Sequence, residues 1–235
     1  MVDTPVLVPG FRIGSVAASA GQICLRSLPW LLVLNALPSL PALLILILTG
    51  DSAQSASTAY LISLPISIIL VIFAQGATIL GTFRLLQGEP FNVAISTRAA
   101  WWTLPVLTGT GLLVGVIVTL GFAALFVPGL MAICVLYVAL PACIVERTGL
   151  VESLERSAEL TDGYRWPLFG LFLLTTLPVM ALSALTDGLD DGSSPLLGML
   201  GQEAATLLYS AVTAVLTTIC FDHLRRIKGS FVMLH

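Results

Sequence analysis

Residues 103–145, TLPVLTGTGLLVGVIVTLGFAALFVPGLMAICVLYVALPACIV, decide how this chain is read. No charged residue falls between Arg98 and Glu146. About 20 apolar residues carry a helix across a bilayer, so the run holds two spans. Val127-Pro128-Gly129 divides it, because adjacent Pro and Gly favour a turn. In hydrocarbon only helices and closed barrels satisfy their own backbone. Two-residue alternation is missing, which argues against a barrel. The expectation is one helix over 103–126 and a second over 127–145.

The same pattern extends in both directions, with further spans expected at 28–49, 59–83, 167–186 and 203–221. Only 10% of the 235 residues are charged, against about 25% in soluble domains. Mean hydropathy is +1.01. The expected fold class is an all-α integral membrane protein of about six transmembrane helices, a single membrane domain over 1–235. A net charge of −3 provides no basic field for nucleic acid. The first 27 residues lack the short apolar core of a cleavable signal peptide. Cys24, Cys134, Cys143 and Cys220 avoid the expected outer loops and lack metal-site spacing. They read as small apolar residues packed in or near helices.

The charges set orientation. Arg12 and Arg26 precede the first span, and Arg84 and Arg98 lie between the second and third. Arg147, Arg156 and Arg165 lie between the fourth and fifth, and Arg225, Arg226 and Lys228 follow the sixth. The opposite loops carry Asp51, Asp187, Asp190 and Asp191 and no basic residue. The positive-inside rule places the basic side, with both termini, in the cytoplasm.

Aromatic residues and prolines recur in step. Trp30, Trp101/Trp102 and Trp166 stand at the basic entrance of each odd-numbered span, beside Pro29, Pro105 and Pro167. Tryptophan suits the headgroup layer, and proline suits a first helical turn. The even-numbered spans end in Arg84/Gly88, Arg147/Gly149 and Arg226/Gly229. Short amphipathic segments at 11–26, 91–99 and 150–162 precede the tryptophans. These features predict three parallel repeats over 1–88, 89–149 and 150–229, with a tail over 230–235. Each repeat is an interfacial amphipathic helix followed by a two-span hairpin, related to the next by an axis along the membrane normal.

The segment 146–167, ERTGLVESLERSAELTDGYRWP, is the best-defined interfacial element. Leu150, Leu154 and Thr161, with Val151 and Ala158, are expected to share its packing face. Glu152 and Arg156 stand in the favourable i,i+4 order, and Gly163 reads as a left-handed stop. Glu146 facing Arg156 or Arg165 would tie this helix to the fourth span.

A motif runs from Pro128 to Phe169: Pro141 and Glu146, a glycine and a leucine-rich helix, Arg156-Ser157, Leu160-Thr161, Gly163, Trp166 and Phe169. It resembles a bacterial family of polytopic proteins. That family includes the YciC-type proteins and the membrane domain ahead of some glycerophosphodiester phosphodiesterases. The resemblance implies a helical domain of a bacterial inner membrane. Hydrolysis in the phosphodiesterase relatives belongs to a separate soluble barrel, so catalysis is not carried over. Glu146, Arg156, Ser157, Gly163 and Trp166 match the pattern and read first as architectural, with Trp30 and Trp102 as interfacial partners.

No serine-elbow, phosphate-loop or zinc motif occurs. His223 and His235 sit near the tail without evident metal partners, and His223 reads as interfacial, beside Asp222. The Asp187–Asp191 loop reads as solvated, with weak cation binding the alternative. Asn35 and Gln75 are the strongly polar side chains well inside spans. They read as hydrogen-bonding glue between helices, or alternatively as the lining of a substrate path. Gly111 and Gly115 form a GxxxG that permits close helix contact, inside the bundle or between protomers. No cofactor, metal or catalytic residue is expected. The expected function is a non-enzymatic scaffold or accessory subunit. Its partners would be membrane lipids, a membrane protein complex or a second copy. Lipid or small-molecule handling is the alternative, as a carrier, channel or membrane-homeostasis factor.

Overall fold

The computed structural model describes residues 13–41, 44, 53–189 and 195–232. Among these, all regular structure is helical. Helix α1 (Ile13–Ala36) leads into a 3-10 turn at Leu37–Ser39. Then come α2 (Ala53–Leu86), α3 (Val93–Ala124), α4 (Phe126–Val135) and α5 (Ala139–Glu146). The chain continues through α6 (Leu150–Thr161), α7 (Arg165–Leu189) and α8 (Pro195–Val232). Six stretches are long and apolar enough to cross a membrane. They are Ala18–Ser39, Leu64–Leu86, Val93–Ala124, Phe126–Glu146, Arg165–Leu185 and Glu203–Gly229. Length and composition therefore support a membrane protein. Part of the expected first span, 42–43 and 45–49, lies outside the described residues, as do Arg12, Asp51, Asp190, Asp191 and His235.

Two of the three expected interfacial helices are not separate elements. The described part of the first segment, 13–26, belongs to α1, which continues through Pro29, and 93–99 of the second belongs to α3, which continues through Pro105. A proline deletes one backbone bond. A loop at that depth would leave several backbone groups unpaired, which costs more. Helix α3 starts at Val93 because the Asn92 side chain accepts from the Ile95 N–H at 3.2 Å. Only α6 stands alone. It begins after Gly149 and is followed by Gly163 at φ +84°, a left-handed conformation that glycine adopts without a Cβ penalty.

The fourth span is not continuous. It breaks over residues 136–138, between α4 and α5. The turn from α3 into α4 is the single extended residue Leu125, just ahead of the expected Val127-Pro128-Gly129. Pro128 falls in the first turn of α4, where its missing N–H leaves no bond unmade. Such a short reversal presses the two helices together. A Cβ added to Gly121 would lie 2.9 Å from the Gly129 Cα.

The even-numbered spans are the inner ones. Burial takes 39% of the second, 44% of the fourth and 50% of the sixth, against 28%, 11% and 17% of the first, third and fifth. α2, α5 and α8 touch one another. Each outer helix lies against the inner span that follows it and the one that precedes it. α1 packs on α2 and α8, α3 on α2 and the α4/α5 span, and α7 on α4 and α8. The main core gathers Leu31, Leu160, Leu168, Leu171, Phe221 and Leu224. A second cluster of Ile72, Ile79, Leu107, Ile144 and Ala214 joins α2, α3, α5 and α8.

The packing face of α6 differs in part from expectation. Thr161 is buried as expected, but with Ser153, Ser157 and Leu160, whereas Leu150 and Val151 are exposed. Small hydroxyl residues let α6 approach its neighbours closely while their own donors find carbonyls. This benefit is invisible to a hydrophobic pattern.

Candidate functional site

At the end of the molecule that carries the arginines, Glu146 closes α5 and meets two guanidinium groups. Its Oε2 accepts from Arg156 Nε at 3.0 Å, and its Oε1 lies 3.5 Å from Arg225 Nε. One carboxylate thus joins α5, α6 and α8. Arg156 also reaches Glu159 at 3.2 Å. Burial alone would lower the Arg156 pKa, but the hydrogen bonds and charges of Glu146 and Glu159 outweigh it and raise it above the ordinary arginine value. Lys228 Nζ donates to the Glu159 carbonyl and adds a second tie from α8 to α6. Of the two partners expected for Glu146, Arg156 is the one that meets it, while Arg165 pairs with Asp162 at 3.4 Å. Glu152 does not pair with Arg156 either. Its carboxylate accepts from the Gly149 N–H at 3.0 Å and caps α6. Asp222 pairs with Arg226 at 2.8 Å on α8.

Ser157 and Thr161 repair the broken span. Ser157 donates to the Val135 carbonyl at 2.7 Å, and Thr161 Oγ1 lies 3.2 Å from the same carbonyl while its shorter bond, 2.8 Å, goes to the Ser157 carbonyl. Val135 ends α4, so its carbonyl has lost its helical partner. The Arg156-Ser157 and Leu160-Thr161 parts of the motif are therefore fastenings between α6 and the fourth span. Trp166 is exposed and meets Phe169 edge-on at 6.4 Å. Trp30 and Trp102 are exposed as well.

Inside the bundle, Asn35 and Gln75 meet through Ser210. Ser210 Oγ donates to Asn35 Oδ1 at 2.5 Å, and Gln75 Nε2 donates to Ser210 Oγ at 2.9 Å. Asn35 Nδ2 donates to the Leu31 carbonyl at 2.8 Å and to Thr78 Oγ1 at 3.3 Å. The cluster ties α1, α2 and α8, and these groups satisfy one another. Sequence reading missed Ser210 and Thr78, since hydroxyl residues in apolar helices carry no distinguishing signal.

Sequence reading also missed a groove between the end of α2, the first half of α3 and the end of α5. It encloses about 550 Å³. Arg98 and Arg147 line it, with Trp102 and Thr148 beside them and Leu80, Val106 and Ile144 as its apolar wall. Neither arginine makes an ion pair or side-chain hydrogen bond among the described residues. By contrast, Arg84, Arg156, Arg165, Arg225 and Arg226 each have a carboxylate. Arg147 also has φ 52° and ψ 39°. It is the one non-glycine residue with positive φ among those described. That conformation costs about 1–3 kcal/mol for an ordinary side chain.

A second groove lies on the outer face of α2 and α3. It encloses about 610 Å³ between Ile68, Val71, Gly115, Val116 and Thr119. Of the GxxxG pair, Gly111 packs inward against Ile72, whereas a Cβ on Gly115 would meet open space. Among the described residues no group of three or more His, Cys, Asp or Glu could hold a metal ion. Cys134, Cys143 and Cys220 are buried, Cys24 is half-buried, and all four are free thiols.

Fold and site together define a class: an all-helical protein with six helices of membrane-spanning length, fastened at one end by arginine–carboxylate pairs. Comparison with protein-family models, with curated proteins and with solved structures finds no match.

Proposed function

We propose that this chain is a non-enzymatic scaffold or accessory subunit of a bacterial inner-membrane complex, with six spans and both termini in the cytoplasm. The observation that carries this reading is that the two amide side chains inside the spans, Asn35 and Gln75, are spent on bonds between helices. Asn35, Gln75, Thr78 and Ser210 bond to one another across three helices. Such groups hold helices together, whereas a transport path needs polar groups free to meet a solute. The barely buried α3, with an open apolar groove beside Gly115, supplies a face for a partner's span.

The six-span topology is supported by the position of the arginines at one end. Three parallel units over 1–88, 89–149 and 150–229 are supported by the alternation of outer and inner spans and by the cyclic order of their contacts. The likeness to the YciC-type family belongs to the same proposal.

Mild extraction from native membranes followed by native mass spectrometry tests the function. A stoichiometric membrane-protein partner, or a second copy, is the expected result. A partner-free chain retaining a defined lipid or metabolite within the bundle would overturn it in favour of lipid or small-molecule handling.

A further inference from the structure

Most arginines at the basic end are already neutralised, which sets the groove between α2, α3 and α5 apart. Its two arginines, Arg98 and Arg147, lack carboxylate partners among the described residues. A guanidinium fork matches a phosphate with two parallel hydrogen bonds. The groove is also lined by the apolar side chains of Leu80, Val106 and Ile144. A ligand with a negative head and an apolar tail meets both surfaces, whereas a free anion uses only one. Trp102, 77% exposed at the rim, marks the level where lipid headgroups meet acyl chains.

The Arg147 backbone points the same way. Glycine would adopt its left-handed conformation without strain, yet the chain keeps its glycine two residues later, at Gly149. No hydrogen bond or ion pair with another described residue accounts for the side chain. Strain retained without an internal partner indicates a group held for something outside the chain.

We infer that this groove is a headgroup site for an anionic phospholipid. Arg98 and Arg147 take the phosphate, and the acyl chains leave along Val106 and Ile144. The inference rests on the membrane insertion proposed above but not on the scaffold role. A lipid seated there would cover part of the interface between the α2–α3 hairpin and the fourth span.

The test is native mass spectrometry of the full chain in detergent, titrated with phosphatidylglycerol and separately with phosphatidylcholine. The wild type should retain phosphatidylglycerol preferentially. R98Q/R147Q should lower that retention about tenfold or more, as expected for loss of charged hydrogen bonds. R26Q removes another unpartnered arginine, outside the groove, and should change nothing. R147G separates binding from folding: it should weaken phosphatidylglycerol retention while keeping or raising the unfolding temperature. Full preference in R98Q/R147Q, or an equal loss in R26Q, would overturn the site. Displacement of the lipid by inorganic phosphate alone would overturn the lipid assignment. A wild type that fails to float with phosphatidylcholine vesicles would strike the membrane reading itself. Normal flotation with retention independent of the arginines would strike this site only.

Discussion

Glu146 is where one side chain does most to hold the basic end together. Its carboxylate is 16% exposed and meets arginines from α6 and α8. Removing its charge leaves both with weaker partners. We expect Glu146→Gln to destabilise the chain by about 1–2 kcal/mol, a figure reduced for the partial exposure of the arginines. Glu159→Gln, at a carboxylate 67% exposed, should cost less than about 0.5 kcal/mol. Thermal unfolding in detergent compares them, and equal losses would refute a central role for Glu146. The interior cluster behaves differently, because its members depend on one another. Asn35→Leu should cost about 1–2 kcal/mol and lower abundance. A double-mutant cycle with Ser210→Ala should show coupling of about 0.6–1.7 kcal/mol. Simple additivity would mean that the bond between them contributes little.

The α3–α4 reversal and the α4–α5 break shape the elements. At the reversal, Gly121 faces the Gly129 backbone at a distance that no real Cβ tolerates. Gly121→Ala must move one helix and should cost about 1–3 kcal/mol. Gly115→Ala, on the open side of α3, should be nearly neutral in the unfolding temperature. Similar shifts for both would contradict the tight turn. At the break, the Val135 carbonyl relies first on Ser157, with Thr161 as the longer second contact. Changing both to Ala leaves a buried acceptor unpaired, at about 1–3 kcal/mol. Tighter protease resistance in that variant would show that the hydroxyls are dispensable. The sequence showed α6 clearly, through Gly149, Gly163 and its charged face. It misplaced the buried face, because leucines dominate a hydrophobic pattern while the bundle here accepts serines.

For the whole molecule, the positions of the charges make a topological prediction. A tag at either terminus should react with a membrane-impermeant reagent only from the cytoplasmic side. Reaction from outside at both termini would reverse the orientation, and at one terminus alone would remove the even number of spans. The arrangement of inner α2, α4/α5 and α8 within outer α1, α3 and α7 has a mechanical consequence. Each outer helix bridges two inner spans, so no hairpin leaves the bundle without opening two contacts. The basic end adds ties that run from the last helix back to α5 and α6.

Six long apolar helices were legible in the chain itself, because hydropathy is a local property and a span needs only length and composition. Gly163 as a left-handed stop and the Glu146–Arg156 pair were legible for a similar reason: their signals lie within a few residues or turns of each other. The partner of Asn35 is 175 residues away in sequence, and neither Arg225 on Glu146 nor the break after Val135 has a local mark. Which spans lie inside, which arginines find carboxylates, and why Arg98 and Arg147 are left to line one groove are decided only when all the helices pack at once. Each of those outcomes depends on several remote segments satisfying one another's volume, charge and hydrogen bonds together.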